Sequence, residues 1–232
     1  MTPSRAIALQ RELAPLVRVE PLVQPVRLVA GIDCAFIGRG RQTTRALAAA
    51  VLCDADTLEV LATAEASVEC TFPYVPGLLS FREAPAAIAA IGRLPRRPDL
   101  VMIDGQGLAH PRGLGIASHL GVWLDLPAIG VAKSRLCGEH GRLRRGRGAS
   151  APLMLRGRQV GVVLRTRTGV RPLYVSVGHR ITLQECIDWT LRCAVRARLP
   201  EPTRRAHQAV TAMKKLTAGA ADNPADDGSG GG

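Results

Sequence analysis

Aromatic side chains are scarce in this 232-residue chain, with three Phe, two Tyr and two Trp making up 3% of the residues. A core filled by large rings is therefore excluded, and aliphatic residues must supply the packing within an apolar content of 47%. Lysine is nearly as rare, occurring only at Lys133, Lys214 and Lys215. The six cysteines (Cys34, Cys53, Cys70, Cys137, Cys186 and Cys193) form no C-x-x-C pair and mostly lie within apolar runs. That spacing argues against a zinc site or a disulfide framework and predicts buried, reduced thiols. No stretch approaches the roughly 18 to 20 apolar residues of a membrane span, and the first residues lack the apolar centre of a signal peptide. Membrane partners are not expected, the cytoplasm is the default location, and a monomer is the default state.

Positive charge, by contrast, is abundant. Thirty-one Lys and Arg against nineteen Asp and Glu leave a formal net charge of +12, enough to hold a polyanion through phosphate contacts. A nucleic acid is the expected partner, although an arginine bias of the source proteome would produce part of the same excess. The length suits one domain, expected over 1–217, and the Gly-rich stretch 218–232 reads as a disordered tail.

Apolar periodicity gives the element order. Segments 27–37, 46–53 and 59–68 read as three consecutive strands in an antiparallel meander. Residues 78–91 carry apolar side chains at helical spacing, with Pro85 expected near the first turn. A short strand at 99–103, a helix at 116–124 and a buried strand at 127–132 turn the pattern to α/β. Residues 139–150 have the basic, Gly-rich composition of a loop. Two strands follow at 160–165 and 173–177, then helices at 182–198 and 201–213, the first capped by Thr182 with Glu185 three residues on. This order fits a mixed β-sheet flanked by helices, as in the RNase H-like α/β architecture, though other α/β folds fit nearly as well.

Three carboxylates stand out. Asp33 lies within an apolar strand, where an ionised group is costly without a metal, a cation or several donors. Asp104 ends the strand DLVMI just before Gly105, at a strand carboxyl end, where α/β sheets place ligands. Each alone reads equally well as a turn or capping residue. On adjacent central strands the pair could bridge divalent ions about 3.5 to 4 Å apart. Glu83, on the helix after the Pro-rich turn, could complete that shell; in isolation it reads as an exposed helical Glu.

Residues 104–115 (DGQGLAHPRGLG) place four glycines before a helix, a composition that lets backbone approach a phosphate and a helix N-terminus favour an anion. The segment has neither a Walker G-K-[ST] ending nor a G-x-G-x-x-G turn. His110 could touch a scissile phosphate or orient a ligand, or be a plain loop histidine. Lys133, after the strand AIGVA, could hold a phosphate or be a solvated charge. Phe72, Pro73, Tyr74, Val75 and Pro76 form a rigid apolar turn, suited either to wedging between bases or to packing in the core.

Four blocks of sequence resemble the endonuclease V family. They are AGIDCAF (30–36); PYVPGLLSFRE (73–83); DGQGLAHPRGLGIASHLG (104–121) with IGVAKSRLCG (129–138); and VGHRITL (177–183) leading to LPEPTRRAH (199–207). The resemblance spans about residues 5–210. It implies an RNase H-like fold and an endonuclease that recognises deoxyinosine in DNA and hydrolyses the second phosphodiester bond 3′ of the lesion. The expected cofactor is Mg²⁺, with Mn²⁺ as a substitute. By the same resemblance, Asp33, Glu83 and Asp104 are metal-binding and catalytic and Lys133 is catalytic. Pro73, Tyr74, Val75 and Pro76 form a strand-separating wedge, with Gly77, Leu79 and Arg82 near the lesion. Gly105, His110 and Gly115 line the substrate pocket. His207 approaches a metal directly or through water, and His179 orients backbone or packs. The alternatives are an inosine-specific endoribonuclease and a non-catalytic module that binds damaged nucleic acid.

Overall fold

The computed structural model describes residues 1–38 and 44–221, with side chains as far as Thr217. One eight-stranded mixed sheet, flanked by helices, organises the chain. Its strands are β1 (Leu28–Ile37), β2 (Arg45–Asp54), β3 (Val60–Glu69), β4 (Leu100–Ile103), β5 (Ala128–Ala132), β6 (Ser150–Leu155), β7 (Arg158–Leu164) and β8 (Leu173–His179). In space they run β3-β2-β1-β4-β5-β8-β7-β6. The first three form the expected antiparallel meander, whereas β4 joins β1, and β5 joins β4, in parallel. The helices are α1 (Pro3–Leu13), α2 (Ser80–Gly92), α3 (Ile116–Leu124), α4 (Leu183–Cys193) and α5 (Glu201–Ala221).

The shortage of aromatic rings has a direct structural counterpart in β2. Its side chains alternate between faces with the period of two that a strand imposes. Ala46, Ala48 and Ala50 meet Ala84, Ala86, Ala87 and Ala90 of α2 on one side. Leu47 and Ala49 meet Val210 of α5 on the other. Small side chains on both partners let helices lie close to the sheet, so the core is filled without large rings. Aliphatic residues of β4, β5, β7 and β8 extend the packing toward α4.

Several details differ from the sequence reading. Helix α1 and strand β6 were not anticipated. Pro85 falls in the second turn of α2, on the exposed side, where the lost hydrogen bond is to the Phe81 carbonyl. Helix α4 has the expected capping box between Thr182 and Glu185 but stops at Cys193, five residues short of the expected end. Helix α5 continues to Ala221, into the stretch read as a tail, and residues 222–232 lie outside the described part of the chain.

Candidate active site

Three adjacent parallel strands meet the site at one level, at the carboxyl ends of β4 and β5 and midway along the longer β1. The register of β1 with β4 pairs Ile32 with Ile103, and the Asp104 N–H donates to the Ile32 carbonyl at 3.0 Å. Asp33 and Asp104 therefore follow the same pair of neighbouring residues. Lys133 comes directly after β5, the next strand over, and its ammonium contacts the Asp104 carboxylate and lies 3.9 Å from Asp33. The address is the one expected of a ligand site in a sheet of this kind.

The fourth member comes from the far end of the chain. A methyl group at Gly31 would overlap the backbone of Pro202 and Thr203, so the bare glycine lets the first turn of α5 sit directly on β1. One turn beyond Thr203, His207 Nδ1 reaches Asp33 Oδ2 at 2.6 Å and lies 3.2 Å from Lys133 Nζ. Asp33, Asp104 and His207 each offer one ligand atom, and these atoms lie within 4.8 Å of one another. Glu83, in the first turn of α2, stands outside that cluster but close enough for the charges of Asp33 and Asp104 to act on it.

The electrostatics show what the cluster lacks. Asp33 is only 7% exposed, and burial, followed by the Asp104 charge, raises its pKa; the His207 contact and Lys133 oppose that shift. Glu83 is pushed up to about 8 by burial and then by Asp33 and Asp104. Three carboxyls thus crowd a weakly solvated volume, and their mutual repulsion would be relieved by added positive charge. A set rich in carboxylate oxygens, with one imidazole nitrogen, fits a hard divalent cation such as Mg²⁺ or Mn²⁺. Asp33, Asp104 and His207 could hold it, with Glu83 as an outer partner. Cys34 is no competitor: burial, then the Glu83 charge, raises its thiol well above the ordinary range, so the thiolate that metals prefer is disfavoured.

Beside the carboxylates is a cavity of about 420 Å³, within the roughly 300 to 1,000 Å³ typical of small-ligand pockets. Asp104, Glu83 and Lys133 line it together with Tyr74, Pro76 and Leu79. Tyr74 is 58% exposed while neighbouring Phe72 is buried against Ala6 and Leu78, so the turn is anchored at one end and free at its tip. Pro73 is exposed and Val75 half-buried at the same tip. Arg82 is itself buried, with its guanidinium 4.8 Å from the Phe36 ring centroid and 5.7 Å from that of Tyr74. It backs the Tyr74 ring through cation–π contact.

The glycine-rich loop is tied closely to the rest of the protein. The N–H groups of Gly107, Leu108, His110, Gly113, Gly115 and Ala117 all donate within the protein, Gly107 to Ser176 Oγ and Leu108 to the Val177 carbonyl. A methyl at Gly105 would strike Ile116, and one at Gly115 would strike Gln106. Gly105 and Gly115 line the cavity, and their missing side chains also allow close packing of the loop against Ile116 and Gln106. His110 is likewise committed to protein: Nε2 lies 3.1 Å from the Gly77 carbonyl, and Nδ1 accepts from the Arg112 N–H at 3.2 Å. Burial, then Arg112, lowers its pKa to about 4, so the ring is neutral with Nε2 protonated. His179 accepts from the Arg18 N–H through Nδ1 and faces Asp125 through Nε2, away from the carboxylate cluster.

Residues not singled out from the sequence hold this assembly in register. The Gly77 carbonyl also accepts from Gln10 Nε2 at 3.0 Å and Arg112 Nη2 at 2.6 Å, and Gln10 Oε1 accepts from Arg112 Nε. Arg198 donates to the carbonyls of Lys133 and Pro172, both at 2.7 Å, and so fixes the backbone that carries the active-site ammonium.

Comparison with known proteins finds relatives that match most of the chain. The family model described as Endonuclease V matches residues 11–208. An endonuclease V from Rhodospirillum centenum is 54% identical over 211 residues, 90% of this chain and 88% of that protein. The crystal structure of endonuclease V from Streptomyces avermitilis superposes with a TM-score of 0.86 at 44% identity, covering 93% of this chain and 95% of that one. The same fold is found in Ciona intestinalis endonuclease V in complex with a 23mer DNA containing an inosine followed by a ribo-adenosine. That match has a TM-score of 0.79 and 21% identity, covering 94% of this chain and 100% of the other.

Proposed function

The chain belongs to the endonuclease V family, and from that premise we propose that it is a repair endonuclease that nicks DNA at the second phosphodiester bond 3′ of deoxyinosine, leaving 3′-hydroxyl and 5′-phosphate ends. The observation that carries the reading is that Asp104, Glu83 and Lys133 share a cavity with the exposed tip at Tyr74. Reading a base and cutting its backbone need adjoining places, and a single cavity lined by both sets of residues supports that pairing.

The turn at residues 73–76 enters the stack beside the damaged base, and its prolines limit the entropy lost in doing so. Arg82 holds the Tyr74 ring from behind, and the unstacked base enters the cavity between Tyr74 and the loop at Gly105 and Gly115. Asp33, Asp104 and His207, with Glu83, would hold Mg²⁺ or Mn²⁺. When bound there, a divalent ion supplies activation of water and neutralisation of the leaving oxygen. Lys133 moves its ammonium from Asp104 to the scissile phosphate, a short reorientation for a flexible four-carbon stem. Arg198 keeps the Lys133 backbone still while it does so.

Matched DNA and RNA oligonucleotides with a single inosine, incubated with and without Mg²⁺ and mapped on sequencing gels, test this reading. The expected result is one Mg²⁺-dependent nick in the DNA, one nucleotide beyond the inosine's 3′ neighbour bond. Cutting confined to the RNA would move the substrate to inosine-containing RNA, and binding without cutting in either would leave only a damage-binding module.

A further inference from the structure

The active-site end of the sheet does not stop at Lys133. The register carries it sideways: Ala132 of β5 pairs with Tyr174 of β8, Leu173 of β8 with Leu164 of β7, and Leu164 with Ser150 of β6. The segments just outside these residues, 165–172 and 142–149, therefore lie at the same end as Asp104. Between positions 134 and 171 the sequence has ten arginines and one acid, Glu139. Only Arg156 and Arg158 lie at the opposite end, at the β6–β7 turn, and Glu139 pairs toward that end with Met154.

The two segments are tied together. The Gly169 N–H donates to the Arg145 carbonyl at 3.1 Å, Arg165 Nε to the Arg144 carbonyl at 2.8 Å, and the Arg147 N–H to Thr168 Oγ1 at 3.2 Å. Arg171 continues the line inward: after burial, its charge is what most depresses the pKa of Arg198, the residue that holds the Lys133 carbonyl. Arg142, Arg144, Arg145 and Arg171 are all exposed. Among the described residues, none of the four forms a salt bridge. Unneutralised guanidinium groups placed this densely repel one another, an arrangement favoured by a polyanion lying across them.

We propose that loops 142–147 and 165–171 form an arginine ridge that grips the nucleic-acid backbone on the side of the cut site away from the base-reading cavity. Three strand spacings of about 4.8 Å separate β5 from β6. The resulting span of about 14 Å matches about four phosphates of one strand when laid along the duplex axis, at roughly 3.4 Å of axis each. The contacts are to phosphate and carry no sequence information, so the ridge sets affinity and the length of duplex engaged, not the choice of lesion.

The ridge rests on the nuclease reading of the site, but its test needs no lesion. Full-length protein in chelator binds a lesion-free duplex of about 24 bp, and the slope of log affinity against log salt counts the phosphate contacts at about 0.9 each. The combined variant R142Q/R144Q/R145Q is expected to have a slope shallower by about 3 than the unsubstituted protein. R142K/R144K/R145K keeps the charge and should keep the slope, and it serves as the folded comparison if the glutamine variant melts early. R93Q/R96Q/R97Q removes the same charge just before β4, at the other end of the sheet, and should change the slope by less than about 1. An unchanged slope in the first variant overturns the ridge, as does an equal loss in the β4-end variant. Failure to cut inosine DNA would leave this measurement untouched.

Discussion

His207 Nδ1 lies 2.6 Å from Asp33 Oδ2 across 174 positions of sequence. A ring nitrogen can donate its proton or offer its lone pair, not both, so the same atom cannot pair with Asp33 as donor and serve as a metal ligand. Either Nδ1 donates to Asp33 and orients it, leaving Nε2 as the nitrogen available to an ion, or Nδ1 binds the ion directly. In both cases His207→Ala should raise the Mg²⁺ concentration needed for half-maximal cutting by about 10- to 100-fold, the usual cost of losing an orienting partner. His207→Asp, which restores an oxygen donor, should recover most of the loss. A metal titration of initial rates, with calorimetric Mg²⁺ binding alongside, reads both outcomes.

Asp33→Asn and Asp104→Asn keep side-chain size and remove a charge from the site that the proposed reaction needs most. Each should lower the rate of cutting by at least about 10²- to 10³-fold, the scale of losing one electrostatic stabiliser of the transition state. Affinity for inosine DNA should change far less, because the base-reading turn at Tyr74 is untouched. Single-turnover rates and anisotropy titrations on the same oligonucleotide separate the two effects; wild-type rates in both variants would remove the carboxylates from the chemistry.

Glu83 predicts a pH dependence with a definite sign. Its pKa rises on folding from the ordinary 4.5 to about 8, by burial and then by Asp33 and Asp104. Between those values the folded protein binds the proton more tightly than the unfolded chain, so stability is greatest below about pH 4.5 for this group and is lost as pH rises to about 8. Asp33 shifts in the same direction. Metal-free protein in chelator should therefore melt at progressively lower temperature from about pH 5 to pH 8. Glu83→Gln, which cannot ionise, should flatten that fall, and Mg²⁺ should raise the melting temperature of the unsubstituted protein most at the alkaline end. Thermal scans across the range settle the matter.

What the sequence made legible was whatever a local pattern could announce. Asp33 interrupts an apolar run and Asp104 ends one, so both strands could be read directly. Helix α1 could not: it buries only Ala6 and Gln10 and so shows no apolar stripe. Strand β6 has Pro152 among its residues, a placement tolerated only because β6 is an edge strand, and edges are defined by topology. The glycines at 107 and 115 gave a true signal of close backbone approach, to Val177 and to Gln106, and Gly105 makes room for the Ile116 side chain. Arg198 and Gln10 act through carbonyls 65 and 67 positions away, contacts that no spacing rule reports.

Gln10 supplies the last prediction. Its side chain is fully buried, donates to the carbonyls of Gly77 and Leu114, and accepts from Arg112. Gly77 itself has a φ of 77°, and a methyl there would come within 2.7 Å of the Arg112 guanidinium, so the turn carrying Tyr74 has little freedom to settle elsewhere. Gln10→Ala leaves Arg112 Nε without its acceptor, while Nη2 keeps the Gly77 carbonyl, and should cost about 1 to 3 kcal/mol of stability, the price of an orphaned polar group. A purely structural role would lower activity on all substrates alike. If Gln10 positions the wedge, KM for inosine DNA should rise while kcat holds, because Asp33, Asp104 and Lys133 are fixed by β1, β4 and β5 and not by α1. Pre-nicked or mismatched inosine duplexes, which need less opening, should be cut by the variant at nearly the unsubstituted rate. An equal loss on opened and closed duplexes would refute the positioning role and leave Gln10 a stability residue alone.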